Sequence, residues 1–527
     1  MAASQQLPKI RSICCIGAGY VGGPTCSVIA SKNPDIKVTI VDLNQARIDA
    51  WKSDDIPIHE PNLLETVKIG RDGSEGRAPN LFFTTNVDQA LEEADLIFIA
   101  VNTPTKTSGY GANQALDLSY VESAVERIAH VCRSDKIIVE KSTVPCGTAR
   151  IVTEILTNIN RHDVHFDVLS NPEFLAEGTA IKNLENPDRI LIGSDTTPRG
   201  LQARAALADL YASWVPRDRI IGMNIFSAEL AKLAANALLA QRVSSINALS
   251  AICEATGADI DEVAFAVGLD TRIGPRMLRA SVGFGGSCLK KDVLNLAHFS
   301  DTLELPEIGS YWRSVNDINE NQKSRFSVRI IRRLHNTLTD KRIAMLGVAF
   351  KKDTGDLRES AAISILASLI SEEAQVAIYD PQVKPGDLWP LLEKEMGRKR
   401  ETFTRVSICS SAYEACDQAH AVVIATEWDE FSNKDAHRPR FNNAEQHAAQ
   451  PEESESDQSS SSSSVILTPT TASVDEGHAQ GQKLDWERVA DMMRYPRLVF
   501  DGRNVVDPLK LRKLGLQVEC IGKSRAW

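Results

Sequence analysis

Residues 10–16, IRSICCI, are a short apolar run that leads directly into Gly17-Ala18-Gly19-Tyr20-Val21-Gly22, and the following GPTCSVIASK has helical composition. Strand, glycine turn and helix in that order open a dinucleotide-binding unit. The glycines let the backbone turn tightly and approach a pyrophosphate, while the helix N-terminus supplies amide donors and a favourable dipole. A second β-rich run, IKVTIVD, ends at Asp42, 20 residues after Gly22. A carboxylate at that spacing suits the adenosine ribose hydroxyls and repels the extra phosphate of NADP, even with Arg47 nearby. A bare GxGxxG says little; with strand, helix and acid all in place, NAD is the coenzyme expected.

The βα pattern continues through ADLIFIAVNTPT at 94–105 and KIIVEKSTVPCGTARIVTEIL at 136–156. Loops at strand C-termini are where an open parallel sheet presents its ligands. Val101, Thr103, Thr105, Ser142 and Thr143 are therefore candidates to line the nicotinamide end, although Thr143 reads equally well as a helix cap. In VLSNPEFLAEGTAI, Glu173 and Glu177 stand four apart, and solvated carboxylates are the ordinary reading for both.

From Ser227 to about Thr256 there is no Gly or Pro, and Ala and Leu recur at helical spacing, which predicts one long helix or a stacked pair. Lys232 and Asn236 share one side of it, inside an otherwise apolar stretch. Arg272-Ile273-Gly274-Pro275 follows, then Gly283-Phe284-Gly285-Gly286-Ser287-Cys288, whose glycines can wrap an anionic ligand. KKDVLNLAHF then reads as a helix. Cys288 is thus expected at a helix N-terminus, where a thiol is acidified, with Asp292 one turn later on the same face. A thiol and a carboxylate beside a glycine loop suit covalent catalysis followed by water activation.

A second strand, loop and helix runs over 340–370 with Lys351, Lys352 and Arg358 between, and QVAIYDP, AVVIATEWDEF and RLVFDGRN add strands, the last bringing Arg503 to a strand end. Cations at the strand ends of a second parallel sheet invite a second phosphate-bearing ligand. The expected fold is α/β: two Rossmann-like, doubly wound domains, residues 1–222 and 331–527, joined by a long helical segment, 223–330, that carries the cysteine loop.

Seven of the net eleven negative charges of this 527-residue chain lie between residues 441 and 482, which hold no Lys or Arg. Such a Ser- and acid-rich stretch cannot bury enough apolar area to offset its chain entropy, so a disordered insertion in the last domain is predicted over about 433–482, with its serines as candidate phosphorylation sites. The remainder is close to charge balance. It gives no cationic face for nucleic acid and suits anionic small ligands. No apolar run reaches the roughly 18 residues of a membrane span and no signal core opens the chain, so a cytoplasmic protein beginning near Met1, with no membrane partner, is expected. Ten cysteines without CxxC spacing predict neither a zinc site nor a disulfide framework.

The phrases GAGYVGGPT, VNTPTKT, STVPCGTA, NPEFLAEGTAI, ELAKLAANALLAQRVSSINALS, RIGPRMLRASVGFGGSCLKKDV, GVAFKKDTGDLRES and FDGR closely resemble the nucleotide-sugar dehydrogenases of the UDP-glucose/GDP-mannose dehydrogenase family, from end to end apart from the Ser/Glu tract. The resemblance implies oxidation of a sugar C6 alcohol to a carboxylate with two NAD and one water, UDP-glucose being the substrate. A sister specificity for GDP-mannose or a UDP-N-acetylhexosamine is the nearest rival; a catalytically silent NAD-binding scaffold is the rival from another class. Cys288 would form a thiohemiacetal and then a thioester, Lys232 would stabilise the oxyanion with Asn236 beside it, and Asp292, Glu173 and Thr143 would position or activate water. Cofactor contacts implied are Gly17, Gly19, Tyr20, Val21, Gly22, Asp42, Arg47, Val101, Thr103, Thr105, Ser142, Thr143, Glu177 and Arg358. Substrate contacts implied are Glu173, Phe174, Leu175, Lys232, Asn236, Gly283, Phe284, Gly285, Phe350, Lys351, Arg503 and Arg272, the last reaching a neighbouring subunit of a homo-oligomer, hexameric or dimeric.

Overall fold

The structure, a computed structural model, describes residues 9–159, 164–434 and 483–523. Its first sheet contains β1 (Ser12–Ile16), β2 (Lys37–Val41), β3 (Leu81–Thr84), β4 (Leu96–Ile99), β5 (Lys136–Glu140), β6 (Phe166–Ser170), β7 (Ile190–Ser194) and β8 (Ile220–Asn224), in the order β3-β2-β1-β4-β5-β6-β7-β8. β4 and β5 are buried along their whole length, as continuous apolar runs covered by helices on both faces must be. The order reverses between β1 and β4, so the glycine turn after β1 and the loop after β4 open side by side. One pairing departs from the expected parallel sheet: β6 and β7 run antiparallel, meeting at Ser170 and Gly193.

The second sheet contains β9 (Arg342–Leu346), β10 (Gln375–Tyr379), β11 (Val406–Ile408), β12 (Ala421–Ile424), β13 (Leu498–Asp501) and β14 (Gln517–Cys520), all parallel and ordered β11-β10-β9-β12-β13-β14. It repeats the winding of the first six strands of the other sheet. The series runs one strand past RLVFDGRN, to the edge strand β14. The acid that ends β10, Asp380, corresponds to the acid that ends β2. Its Oδ2 accepts the Val348 and Ala349 amides at 2.7 and 3.0 Å and the Trp428 indole N–H at 3.2 Å, so protein donors take up the carboxylate here.

Between the sheets, Ile225–Thr256 is one unbroken helix of 32 residues, about 48 Å at 1.5 Å per residue. The Asn224 side chain caps its start by accepting the Ser227 amide, and Gly257, at φ 89°, ends it. Helices Leu289–Thr302 and Pro306–Arg333 pack along it.

The acidic tract predicted as a disordered insertion lies, from residue 435 to 482, outside the described residues. Its flanks join the same unit: the Leu484 amide donates to the Glu430 carbonyl at 2.8 Å, and Lys434 Nζ to the Asn504 carbonyl at 2.6 Å. Among the described residues no helix is long and apolar enough to cross a membrane, and no group of side chains could hold a metal ion.

Candidate active site

Gly17 has φ 111°, and a Cβ there would lie 2.4 Å from the Ala100 carbonyl oxygen. Gly22 is equally constrained, its added Cβ lying 2.1 Å from the Gly17 oxygen. Gly19 differs: nothing stands within 4 Å of where its Cβ would be. Tyr20 and Val21 then lead into the helix Gly22–Lys32. Asp42 reaches the turn from β2, its Oδ2 accepting the Ala18 amide and Arg47 Nη1, both at 3.0 Å. An open glycine face at a helix N-terminus, with a carboxylate at the neighbouring strand end, fits a dinucleotide.

At the C-terminal ends of β4 and β5, Ser142 Oγ donates to the Val101 carbonyl at 2.7 Å and Thr103 Oγ1 to the Thr143 carbonyl at 2.8 Å. Thr105 sits farther along the loop, bridged to Leu116. Thr143 is no helix cap, since the next helix begins at Thr148. Lys291, which the sequence reading passed over, donates from the central helices to the Thr103 carbonyl at 3.3 Å.

Neither glutamate of the NPEFLAEG segment is solvated. Glu173 forms a 2.9 Å ion pair with Lys141, whose side chain is 2% exposed, and it also accepts the Phe174 and Leu175 amides at 2.8 and 3.1 Å. Burial alone would raise the Glu173 pKa; the Lys141 charge and these donors outweigh it and hold the carboxyl below its ordinary range. Lys141 is a second residue that sequence reasoning missed, and its signal was a lysine directly after the apolar strand KIIVE. Glu177 accepts from Ser287 Oγ at 3.3 Å and from Arg358 at 3.1 Å. Burial and the neighbouring Asp356 push its carboxyl up to about 7, against the pull of Arg358 and Lys351.

Ser287 Oγ is 3.5 Å from the sulfur of Cys288, a half-buried thiol at the N-cap of the helix Leu289–Thr302. One turn on, Asp292 is fully buried. Its Oδ2 accepts Asn236 Nδ2 at 2.6 Å, and its Oδ1 has no partner. Burial holds the Asp292 carboxyl above the ordinary range, opposed by Lys291 and Lys232. The Lys232 ammonium, one turn from Asn236 on the long helix, stands 5.0 Å from the Phe174 ring centroid, with the Arg189 guanidinium on the same ring. Lys232, Asn236, Asp292 and Phe174 therefore converge, with Leu175 packed beneath against the first core.

The glycine loop closes the cluster on its other side. Gly283, at φ 126°, lies where a Cβ would come within 2.7 Å of Asn319 Oδ1, and Asn319 holds the Phe284 amide at 2.8 Å and its carbonyl at 3.2 Å. A Cβ on Gly285 would stand 2.6 Å from the Glu359 oxygen and 2.9 Å from Phe350 Cβ. This loop is thus pressed onto the loop after β9. Arg503 donates to the Phe350 carbonyl at 2.8 Å and lies 3.2 Å from Glu427, while the Lys351 ammonium is 5.3 Å from the Phe350 ring centroid. Arg272 stands apart: its side chain is 87% exposed and pairs with Asp270 at 2.6 Å.

Residues 11–215 match the NAD binding domain of the UDP-glucose/GDP-mannose dehydrogenase family, residues 226–321 its central domain and residues 344–450 its UDP binding domain. A protein of Oryza sativa subsp. japonica named UDP-glucose 6-dehydrogenase 5 is 50% identical over 521 residues, covering 97% of both chains. The UDP-glucose 6-dehydrogenase of Pongo abelii is 49% identical over 518 residues, covering 98% of this chain and 94% of its own. The solved structure of a UDP-glucose dehydrogenase from the hyperthermophilic archaeon Pyrobaculum islandicum is similar with a TM-score of 0.72 at 28% identity, covering 98% of both chains.

Proposed function

The chain belongs to the UDP-glucose/GDP-mannose dehydrogenase family and is an NAD-dependent oxidoreductase that converts UDP-glucose to UDP-glucuronate; we propose that it does so through a covalent thioester on Cys288. The observation that carries this reading is Cys288 at the head of a helix, one turn before a buried Asp292 whose Oδ1 has no partner, with Lys232 and Asn236 beside it.

The turn from Gly17 to Gly22 and Asp42 would hold NAD, which would supply the hydride acceptor for both oxidations. The Cys288 thiolate adds to the C6 aldehyde, and the carbonyl oxygen takes up the charge, which Lys232 and the Asn236 amide stabilise. Oxidation of that thiohemiacetal leaves the thioester. Water then attacks the thioester carbon, the C–S bond breaks, and the acid leaves with the thiolate restored. Asp292 is the better base for that water, because burial raises its pKa above the ordinary carboxyl range whereas Lys141 holds that of Glu173 below it. Glu173 instead fixes the start of the following segment by accepting the Phe174 and Leu175 amides, and Thr143 stands in the loop after β5 beside Ser142, its carbonyl held by Thr103. Lys351, Arg503 and the loop from Gly283 to Gly285 hold the UDP portion.

The exposure of Arg272 supports the reading that it serves a neighbouring subunit's substrate, and the exposed Leu238 and Ile252 on the long helix support a homo-oligomer. Ten free cysteines support a reducing, cytoplasmic setting. An NADH assay with UDP-glucose, GDP-mannose and a UDP-N-acetylhexosamine tests the specificity, with two NADH per UDP-glucose expected and little from the others. Cys288→Ser is expected not to complete the reaction; normal two-NADH stoichiometry from it refutes the covalent scheme.

A further inference from the structure

Outside that cluster, two carboxyl groups face each other in a dry place. Glu140 ends β5 and Glu229 lies on the long helix three residues before Lys232; they are 2% and 1% exposed, and their carboxyls are within hydrogen-bond reach of each other. Glu229 accepts the Gly147 amide at 2.6 Å and the Ala149 amide at 2.8 Å. Neither carboxyl oxygen of Glu140 has such a donor. Two ionised carboxylates in contact away from water repel strongly, so such a pair retains a proton, which turns the repulsion into a charge-assisted hydrogen bond. The amides at Glu229 favour its charged form, so the proton belongs on Glu140. Burial and the Glu229 charge raise the Glu140 pKa in the same sense. The other ionisable group facing the pair is Cys146, whose thiol is pushed up to about 11 by burial and by Glu229. Lys141 and Lys232, the lysines nearest in sequence, turn to Glu173 and to the Phe174 ring.

We propose that Glu140 and Glu229 form a one-proton acid pair that positions the Thr143 loop against the helix carrying Lys232 and Asn236. The loop leaves β5 at Glu140 and ends at Gly147, and both ends meet Glu229, so one carboxylate clamps it. Neutral Glu140 donates to Glu229 and holds the clamp shut. Loss of that proton sets two negative charges in contact and frees the loop, and Thr143 with it, while the protonation of the groups that touch a ligand is unchanged. Glu140 and Glu229 are positioning residues, and their effect on turnover rests on reading Thr143 and Lys232 as active-site groups.

Glu140→Gln keeps the shape and donates an N–H to Glu229 at every pH. Infrared difference spectra of the free, full-length enzyme at neutral pH are expected to contain a protonated-carboxyl band in the wild type that Glu140→Gln abolishes. Glu229→Gln, a second variant should the first not fold, shifts the band instead of removing it, because burial keeps the proton on Glu140, which then donates to a neutral amide. In the pH profile of kcat, the alkaline limb of the wild type moves upward by about one unit or more in Glu140→Gln, a tenfold change in proton affinity, while neutral-pH turnover stays close to wild type. A band unchanged in both variants overturns the shared proton, and an alkaline limb unmoved in Glu140→Gln overturns the positioning role. The infrared readout needs no turnover, so failure of the acid pair is separable from failure of the Cys288 scheme.

Discussion

Replacing Lys232 with methionine removes a charge and keeps a side chain of similar length. Lys232 is 7% exposed, and its ammonium sits 5.0 Å from the Phe174 ring centroid and acts on both Asp292 and Glu173. For stability the changes oppose each other. A cation–π contact worth about 0.5–2 kcal/mol is lost, while the cost of burying an ammonium is relieved, so the net change stays below about 1.5 kcal/mol, as for other volume-conserving swaps. For catalysis nothing offsets the loss. One preorganised oxyanion donor contributes about 10²–10³ in kcat, or about 2.7–4 kcal/mol, so turnover falls at least about a hundredfold while the KM for UDP-glucose changes little. Asp292 also loses one of the two cations that oppose the upward pull of burial, so the ascending limb of the pH profile moves to higher pH. Stopped-flow NADH absorbance over a pH series, with urea unfolding in parallel, reads all of these. A kcat loss under tenfold, or one that matches a fall in folded protein, refutes the assignment of Lys232 to the oxyanion.

Asp292→Asn retains shape but removes the base, so each site is expected to release a burst of two NADH and then stall before the acid leaves, which rapid quench measures. The same substitution removes a pH slope in stability. The folded Asp292 pKa is raised, so its contribution is complete below the unfolded carboxylate range and is lost as pH rises through the folded value; the variant's unfolding midpoint falls less over that range. Gly22→Ala sets a Cβ 2.1 Å from the Gly17 oxygen, and the NAD-dependent shift in melting temperature is expected to disappear. Deleting residues 441–482, whose flanks are bonded within one unit, is expected to leave kcat largely intact, as a steady-state assay checks.

Local pattern carried much of the fold. The apolar run, glycine turn and helix at 10–32 and the acid at 42 are decided within one βα unit, where neighbours in sequence are neighbours in space. Pairings set by sheet order are different. Nothing near Lys141 in the chain announces Glu173; they meet because β5 and β6 lie side by side, and the antiparallel step at β7 follows from how the chain re-enters the sheet. The same holds for Glu140 and Glu229, 89 positions apart, which read separately as one strand residue and one helix residue. β14 escaped because QVEC is short and lies at an edge. In the candidate site, the cysteine, lysine and asparagine were legible as polar residues embedded in glycine-rich or apolar sequence. The groups that tune them, Lys141, Lys291, Asp356 and Asn319, are ordinary polar residues until the fold brings them in.

The covalent role of Cys288 is tested most directly by intact-mass and peptide analysis of enzyme quenched in acid during turnover of UDP-glucose with NAD. A UDP-glucuronyl adduct on the Cys288 peptide, faint in the wild type and abundant in Asp292→Asn, is the predicted result. Formation of two NADH per substrate with no adduct on Cys288 in either protein would contradict it.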